Sequence, residues 1–135
     1  MVKEGNNELI PGRGKLLSRQ ACAVESAAMR SGLSVNVIIF SQVLDLRDNT
    51  TCKLYKSKYP IKFYSIDLET FTQDTPLESF FSSSKLANSE YSAVHKADAL
   101  RLLMVYKFGG FYLDLDYVVF NDLTHYHNMV VGNDE

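Results

Sequence analysis

The apolar positions of this chain fall into blocks of distinct period, and those blocks predict most of its elements. Between Ser18 and Arg30, Ala21, Val24, Ala28 and Met29 recur at helical spacing and Gly32 follows as a stop, which predicts a helix over 18–30. Val35 to Phe40 (VNVIIF) is an almost unbroken β-branched run, the pattern of a strand buried on both faces. The polar stretch from Asp45 to Lys58 reads as a loop, and Ile61 to Ile66 (IKFYSI) alternates as a second strand. Thr75-Pro76-Leu77-Glu78 has the form of a helix start, with Thr as N-cap, Pro at the first helical position and Glu three residues after the Thr. The short apolar helix it opens runs through Phe80 and Phe81 into Ser82-Ser83-Ser84. A longer helix is predicted over about 89–108, with Val94, Ala97, Leu100, Leu103, Met104 and Lys107 along its stripe and Gly109 as its stop. Phe111 to Phe120 then reads as a third strand and Met129 to Gly132 as a short further one. Strands alternating with helices predict an α/β sandwich around a mainly parallel sheet. Residues 1–17, with Gly5, Pro11, Gly12 and Gly14 and no period, are expected to form a flexible arm.

Composition narrows the class without naming a function. A chain of 135 residues has room for one domain with a modest core, and 46% hydrophobic with 22% charged residues is an ordinary globular balance. A net charge of −2 gives no basic footprint, so nucleic acid is not an expected partner. No apolar run approaches the roughly 20 residues that cross a bilayer, and polar residues rather than a signal peptide follow Met1. Cys22 and Cys52 are compatible with one disulfide and lack the spacing of a zinc or redox motif; Cys22, among alanines, is expected to be buried. Asn49-Thr50-Thr51 is a glycosylation sequon in the polar loop. His125 and His127 flank Tyr126 and would suit a metal on a strand, but read more simply as a solvated loop. Lys53, Lys56 and Lys58 read as a solvated face, and Tyr55, Tyr59, Phe63 and Tyr64 as core rather than a sugar platform.

The chemistry concentrates between Asp98 and Asp116. On a regular strand Asp114 and Asp116 would share one face, opposite Leu113 and Leu115. Two carboxylates this close repel, and a fold that keeps both ionised usually supplies a cation. A hard divalent ion that takes phosphate oxygens into its shell is the common partner of so few carboxylates. Upstream, Asp98 and Arg101 lie three apart and so fall on one helix face. The planar donor fork of Arg suits sugar hydroxyls or phosphate oxygens, whereas an exposed Asp–Arg pair by itself is worth under about 1 kcal/mol. Gly109-Gly110 ends that helix and leads into the carboxylates, so both sets can converge on one cleft.

This D-x-x-R … G-G-x-Y-x-D-x-D pattern resembles the sugar-nucleotide motif of the DxD-containing glycosyltransferases. Within them it is most similar to the α-1,4-galactosyltransferases of globotriaosyl glycolipid synthesis and their insect α-1,4-N-acetylgalactosaminyltransferase relatives. Gln20 to Ala28 (QACAVESAA) is similar to the opening helix of that branch, Asp74-Thr75-Pro76-Leu77 to its short helix start, and Lys107-Phe108-Gly109-Gly110 to its helix exit. The likeness covers about 18–134. It implies an A-type glycosyltransferase fold, a Rossmann-like α/β sandwich. It also implies retaining transfer of galactose or N-acetylgalactosamine from UDP-Gal or UDP-GalNAc to a glycolipid (lactosylceramide-like) or glycan acceptor, with Mn2+ or Mg2+ as metal. By motif position, Asp116 would ligate the metal, with Asp114 contacting it or the ribose or sugar hydroxyls. Asp98 and Arg101 would hold the donor sugar, and Tyr112 would line the nucleotide pocket. Ala97 stands where this branch usually has Ser. The family further implies a lumenal Golgi location through a membrane anchor that this sequence does not contain. It also implies an acceptor-binding half beyond residues 18–135, so that transfer by this chain alone is not expected.

Two other readings compete. Tyr112 to Val118 (YLDLDYV) imitates the nucleophile strand of haloacid-dehalogenase-like phosphohydrolases, in which the first Asp attacks phosphorus, but the 19 residues after Asp116 are too few for the motifs that follow it there. A catalytically inactive module that only binds UDP-sugar has the same motif and differs in turnover.

Overall fold

A computed structural model describes residues 13–127. They form two compact units, residues 13–65 with 115–127, and residues 66–114. The first unit contains, in chain order, β1 (Arg13–Gly14), α1 (Ser18–Arg30), β2 (Val35–Phe40), β3 (Val43–Leu44), α2 (Asn49–Tyr55) and β4 (Ile61–Ile66). Helix α1 and strands β2 and β4 fall where the periodicity predicts them. Alanine, the best helix former, recurs through α1, and Ala21, Ala23, Val24, Ala27 and Ala28 are buried. Small side chains let α1 lie close to β2 and α2. Ala21 and Val24 join Leu44, Leu54 and Phe63 in the core, with Leu16, Val37, Ile39 and Ile61 packed against it. Phe63 is thus core as expected; Tyr55 stacks on it at 5.6 Å but stays exposed, as do Lys53, Lys56 and Lys58.

Several expectations are corrected in this unit. Residues 1–12 of the expected arm, and the short strand at 129–132, lie outside the described residues. From residue 13 the arm is tied down: β1 pairs in parallel with β3, and the Leu16 N–H donates to Thr51 Oγ1 at 3.0 Å. The expected polar loop holds α2, started by Asp48, whose carboxylate accepts the Thr51 N–H at 2.9 Å. Seven residues carry too little period to announce a helix, but they bury Thr51 and Leu54. Cys22, expected to be buried, is exposed on α1, Cys52 is half-buried, and both are free thiols.

The mainly parallel sheet and the Rossmann-like A-type glycosyltransferase fold are not what the structure shows. The described residues form a mixed α/β fold that is mostly helical, with strands only in two separate pairs, β1–β3 and β2–β4. Phe111 to Phe120, expected as a third strand, runs irregularly with a turn at residues 115–116. A strand needs a neighbour to satisfy its backbone, and β-prone side chains alone do not supply one. Phe111, Tyr112, Leu113, Leu115, Tyr117, Val118 and Phe120 are accordingly all exposed. No described helix is long and apolar enough to cross a membrane.

The segment after the aspartates is held on the end of α1. The Val119 N–H donates to Ser26 Oγ at 3.0 Å, Val119 is buried, and the Leu123 N–H donates to Ser31 O at 2.9 Å. Gly32 makes this seat possible. Its φ is +75°, and a Cβ there would stand 2.8 Å from Asp122 Oδ2 and 3.0 Å from Thr124 Cγ2. Gly32→Ala should therefore lower stability by more than about 1 kcal/mol in thermal denaturation; an unchanged melting midpoint would show that the 122–124 seat carries no weight.

The second unit contains α3 (Leu68–Thr72), α4 (Glu78–Phe81), α5 (Ser84–Ala87) and α6 (Ser92–Phe108). Helix α4 begins at Glu78, later than Thr75-Pro76 announces. Asp74 turns the chain at φ +55°, the Thr75 hydroxyl donates back to Thr72 O at 2.6 Å, and Glu78 Oε2 accepts the Asp74 N–H at 3.0 Å. Helix α6 lies against α5 and buries Ala99 and Leu103. Its packed face is rotated from the expected stripe: Leu100 and Met104 are half-buried, but Val94 is 56% exposed and Ala97 lies open. At its end the Lys107 ammonium sits 4.4 Å over the Phe71 ring and donates to Phe71 O, and Phe108 meets the same ring at 6.0 Å.

Three aspartates share one device, accepting an N–H and a hydroxyl from a nearby threonine: Asp48 from Thr51, Asp67 from Thr70 and Asp122 from Thr124. In each, hydrogen bonds to the charged form hold the carboxyl below its ordinary value of 3.8. The unfolded chain therefore binds more protons than the folded one in this range. The stabilisation is complete above the ordinary value and is lost as pH falls through the lower folded values. The melting midpoint should fall below about pH 4, and Asp48→Asn with Asp67→Asn should flatten that fall. A pH profile identical to that of the unsubstituted chain would remove these caps from the acid response.

Candidate functional site

Helix α6 positions Asp98 and Arg101 on adjacent turns of one face, as their spacing requires. Arg101 Nη2 meets Asp98 Oδ1 at 3.2 Å. The helix is stopped by Gly109, whose N–H donates to Val105 O at 2.8 Å, and Gly109 and Gly110 take φ values of +66° and +78°. No neighbour crowds either glycine, so these positions need glycine for their backbone conformation rather than for space. The reversal brings Tyr112 and Asp114 back to Arg101. Arg101 Nη1 lies 3.5 Å from Asp114 Oδ2, the guanidinium stands 5.5 Å over the Tyr112 ring, and the Tyr112 hydroxyl donates to Asp114 Oδ1 at 3.0 Å. Partial desolvation foremost, then the hydrogen bond to Asp114 and its charge, push the Tyr112 phenol upward, so it remains a donor at neutral pH.

Arg101 is the centre of this cluster. Its planar fork divides between two carboxylates, and its Nε–H is buried with no hydrogen-bond partner among the described residues. An unsatisfied buried donor costs about 1–3 kcal/mol and calls for an acceptor that binding would bring. Asp98, more than half exposed, can in turn accept hydroxyl protons. Donors and acceptors interleaved around a guanidinium in this way suit a ligand rich in hydroxyl and phosphate oxygens.

The two aspartates of the motif are not equivalent. Both oxygens of Asp114 are engaged by Arg101 and Tyr112, whereas Asp116, in the turn at 115–116, is exposed with no partner among the described residues. Because the segment is not a strand, the shared face expected of the two carboxylates is not what distinguishes them. Among the described residues no three His, Cys, Asp or Glu side chains gather as a metal cage would require, and His125 and His127 are exposed outside any such group. A hard divalent ion whose remaining shell is phosphate and water needs no such cage, and a single carboxylate can carry it. Spacing could not have shown that Asp114 is already held; the Gly109-Gly110 reversal was the one local signal that the chain turns back towards α6.

The family described as the glycosyltransferase sugar-binding region containing the DXD motif matches residues 18–135. The chain belongs to this family. Among its relatives, the rat lactosylceramide 4-alpha-galactosyltransferase is 30% identical over 115 residues, covering 81% of this chain and 31% of the rat protein. The mouse protein of the same name is 31% identical over 113 residues, or 79% of this chain and 31% of that protein. The human one is 28% identical over 114 residues, or 81% of this chain and 32% of that protein. The chain thus spans about a third of the length of these curated relatives. No solved structure matches it. Asp114-Leu115-Asp116 is the single D-x-D of the sequence and lies within the matched residues, and the family match stands against the phosphohydrolase reading.

Proposed function

We propose that this protein is a metal-dependent, retaining glycosyltransferase that takes galactose or N-acetylgalactosamine from a UDP-sugar and transfers it to a glycolipid acceptor of the lactosylceramide kind, on the lumenal side of the Golgi membrane. The observation that carries this reading is the unpartnered Nε–H of Arg101 within a cluster of two carboxylates and a phenol, in a chain of the DXD family. Arg101 donates to a donor-sugar or phosphate oxygen, and Asp98 accepts sugar hydroxyls. Asp114 keeps the guanidinium oriented while Tyr112 stacks beneath it. Held in this way, the anomeric carbon meets its acceptor without a further loss of orientational freedom. Asp116, the carboxylate left free, is the residue that would hold Mn2+ or Mg2+; the ion supplies neutralisation of the negative charge on the departing diphosphate.

The test is calorimetric titration of UDP-Gal and of UDP-GalNAc into the chain, with Mn2+ and with a chelator in its place. Saturable binding that requires the metal is expected, and the tighter donor names the transferred sugar. A chain that is helical by circular dichroism yet binds neither donor with Mn2+ would sink the proposal.

A further inference from the structure

The chain has one glycosylation sequon, Asn49-Thr50-Thr51, and the structure treats its two ends in opposite ways. Asn49 is the first residue of α2 and is exposed, and its side chain has no hydrogen-bond partner among the described residues. Thr51 is 0% exposed. Its hydroxyl donates to Asp48 Oδ2 at 2.8 Å and accepts the Leu16 N–H at 3.0 Å, which joins the start of α2 to the segment ahead of α1. The sequon demands a hydroxyl two residues after the asparagine, so a transferase must reach Thr51 as well as Asn49. In the folded unit that reach is closed; it opens only when the first turn of α2 unwinds and Leu16 is released.

We propose that Asn49 is an acceptor of N-linked oligosaccharide and that it is modified only before α2 closes over Thr51. The co-reactant is a lipid-linked diphosphate oligosaccharide. A bond forms between Asn49 Nδ2 and the sugar C1 as the C1–O bond to the diphosphate breaks. The polyprenyl diphosphate leaves with the bonding electrons, and the amide gives up one proton to the base of the transferase. Once attached, the glycan projects from an exposed residue and displaces no contact of the fold. This inference rests on the proposed lumenal location only for whether a cell presents the chain to that enzyme.

The experiment uses the full chain made without glycan and incubated with purified oligosaccharyltransferase and its lipid-linked donor, and reads an endoglycosidase-sensitive increase in mass. The folded chain is compared with Leu54→Asp, which puts a charge at a buried position of α2 and leaves the sequon intact; loss of helix confirms that α2 has opened. The opened chain should be modified at least about tenfold faster than the folded one, since each 1.4 kcal/mol of opening free energy is a factor of ten. Asn49→Gln in the same opened background should abolish the mass increase. Equal rates for the folded and opened chains would overturn the order of events, and no modification of the opened chain would overturn the site. UDP-sugar binding plays no part in the readout, so this inference and the proposed transferase function fail separately.

Discussion

Arg101→Ala should cost about 100-fold or more in UDP-sugar affinity while leaving the melting midpoint almost unmoved. The arginine offers a free Nε–H and the hydrogen atoms of a fork now spent on Asp98 and Asp114. Losing two charge-assisted hydrogen bonds to the donor, each about 1.5 kcal/mol, corresponds to about two decades in the dissociation constant. Stability should change little, because partly exposed ion pairs contribute under about 1 kcal/mol and the substitution also removes an unsatisfied buried donor. Arg101→Lys should not rescue binding, since an ammonium keeps the charge and loses the planar fork. Asp116→Ala should behave differently: binding with Mn2+ falls to the level seen with a chelator, and the metal no longer matters. Wild-type affinity in Arg101→Ala would show that the cluster is a structural ion pair and not the donor site.

Leu103→Ala should have the opposite signature and destabilise the chain by about 3 kcal/mol. Leu103 of α6 is 2% exposed, so truncation leaves a cavity as well as losing transfer free energy. A domain of this size has only about 5–15 kcal/mol in hand, so the melting midpoint should fall by many degrees. Its neighbour Leu102, 68% exposed, should tolerate alanine within about 0.5 kcal/mol. Val94, which periodicity alone would place on the packed stripe, should do the same because it is 56% exposed. A Val94→Ala chain as unstable as Leu103→Ala would restore the expected stripe and refute the rotated face. Both Leu103→Ala and Arg101→Ala are read by thermal denaturation, and only the second should change donor titration of the folded chain.

Part of the geometry around Arg101 was legible in the sequence. Asp98 and Arg101 meet because a helix repeats every 3.6 residues, and the Gly-Gly pair was legible as the point where that helix ends. Asp114 as a partner of Arg101, and the difference between Asp114 and Asp116, were not. Both depend on how the chain returns after Gly110, and no local rule links residues 13 apart in irregular backbone. Helix α2 escaped for a related reason. It is short, and its strongest signal, Asp48 capping Thr51, looks from sequence like any polar loop.

The sequence by itself marked α1, β2 and β4, through the helical period of α1, the unbroken β-branched run of β2 and the alternation of β4. It also carries the family, whose match runs over residues 18–135. Only the tertiary structure decided which β-prone run becomes a strand. Phe111 to Phe120 has the side chains for it and no strand neighbour among the described residues, and strand formation is a property of a pair. The same holds for burial on α6 and for the hydroxyl of Thr51: each is settled by what packs or bonds across long stretches of chain, which no local pattern encodes.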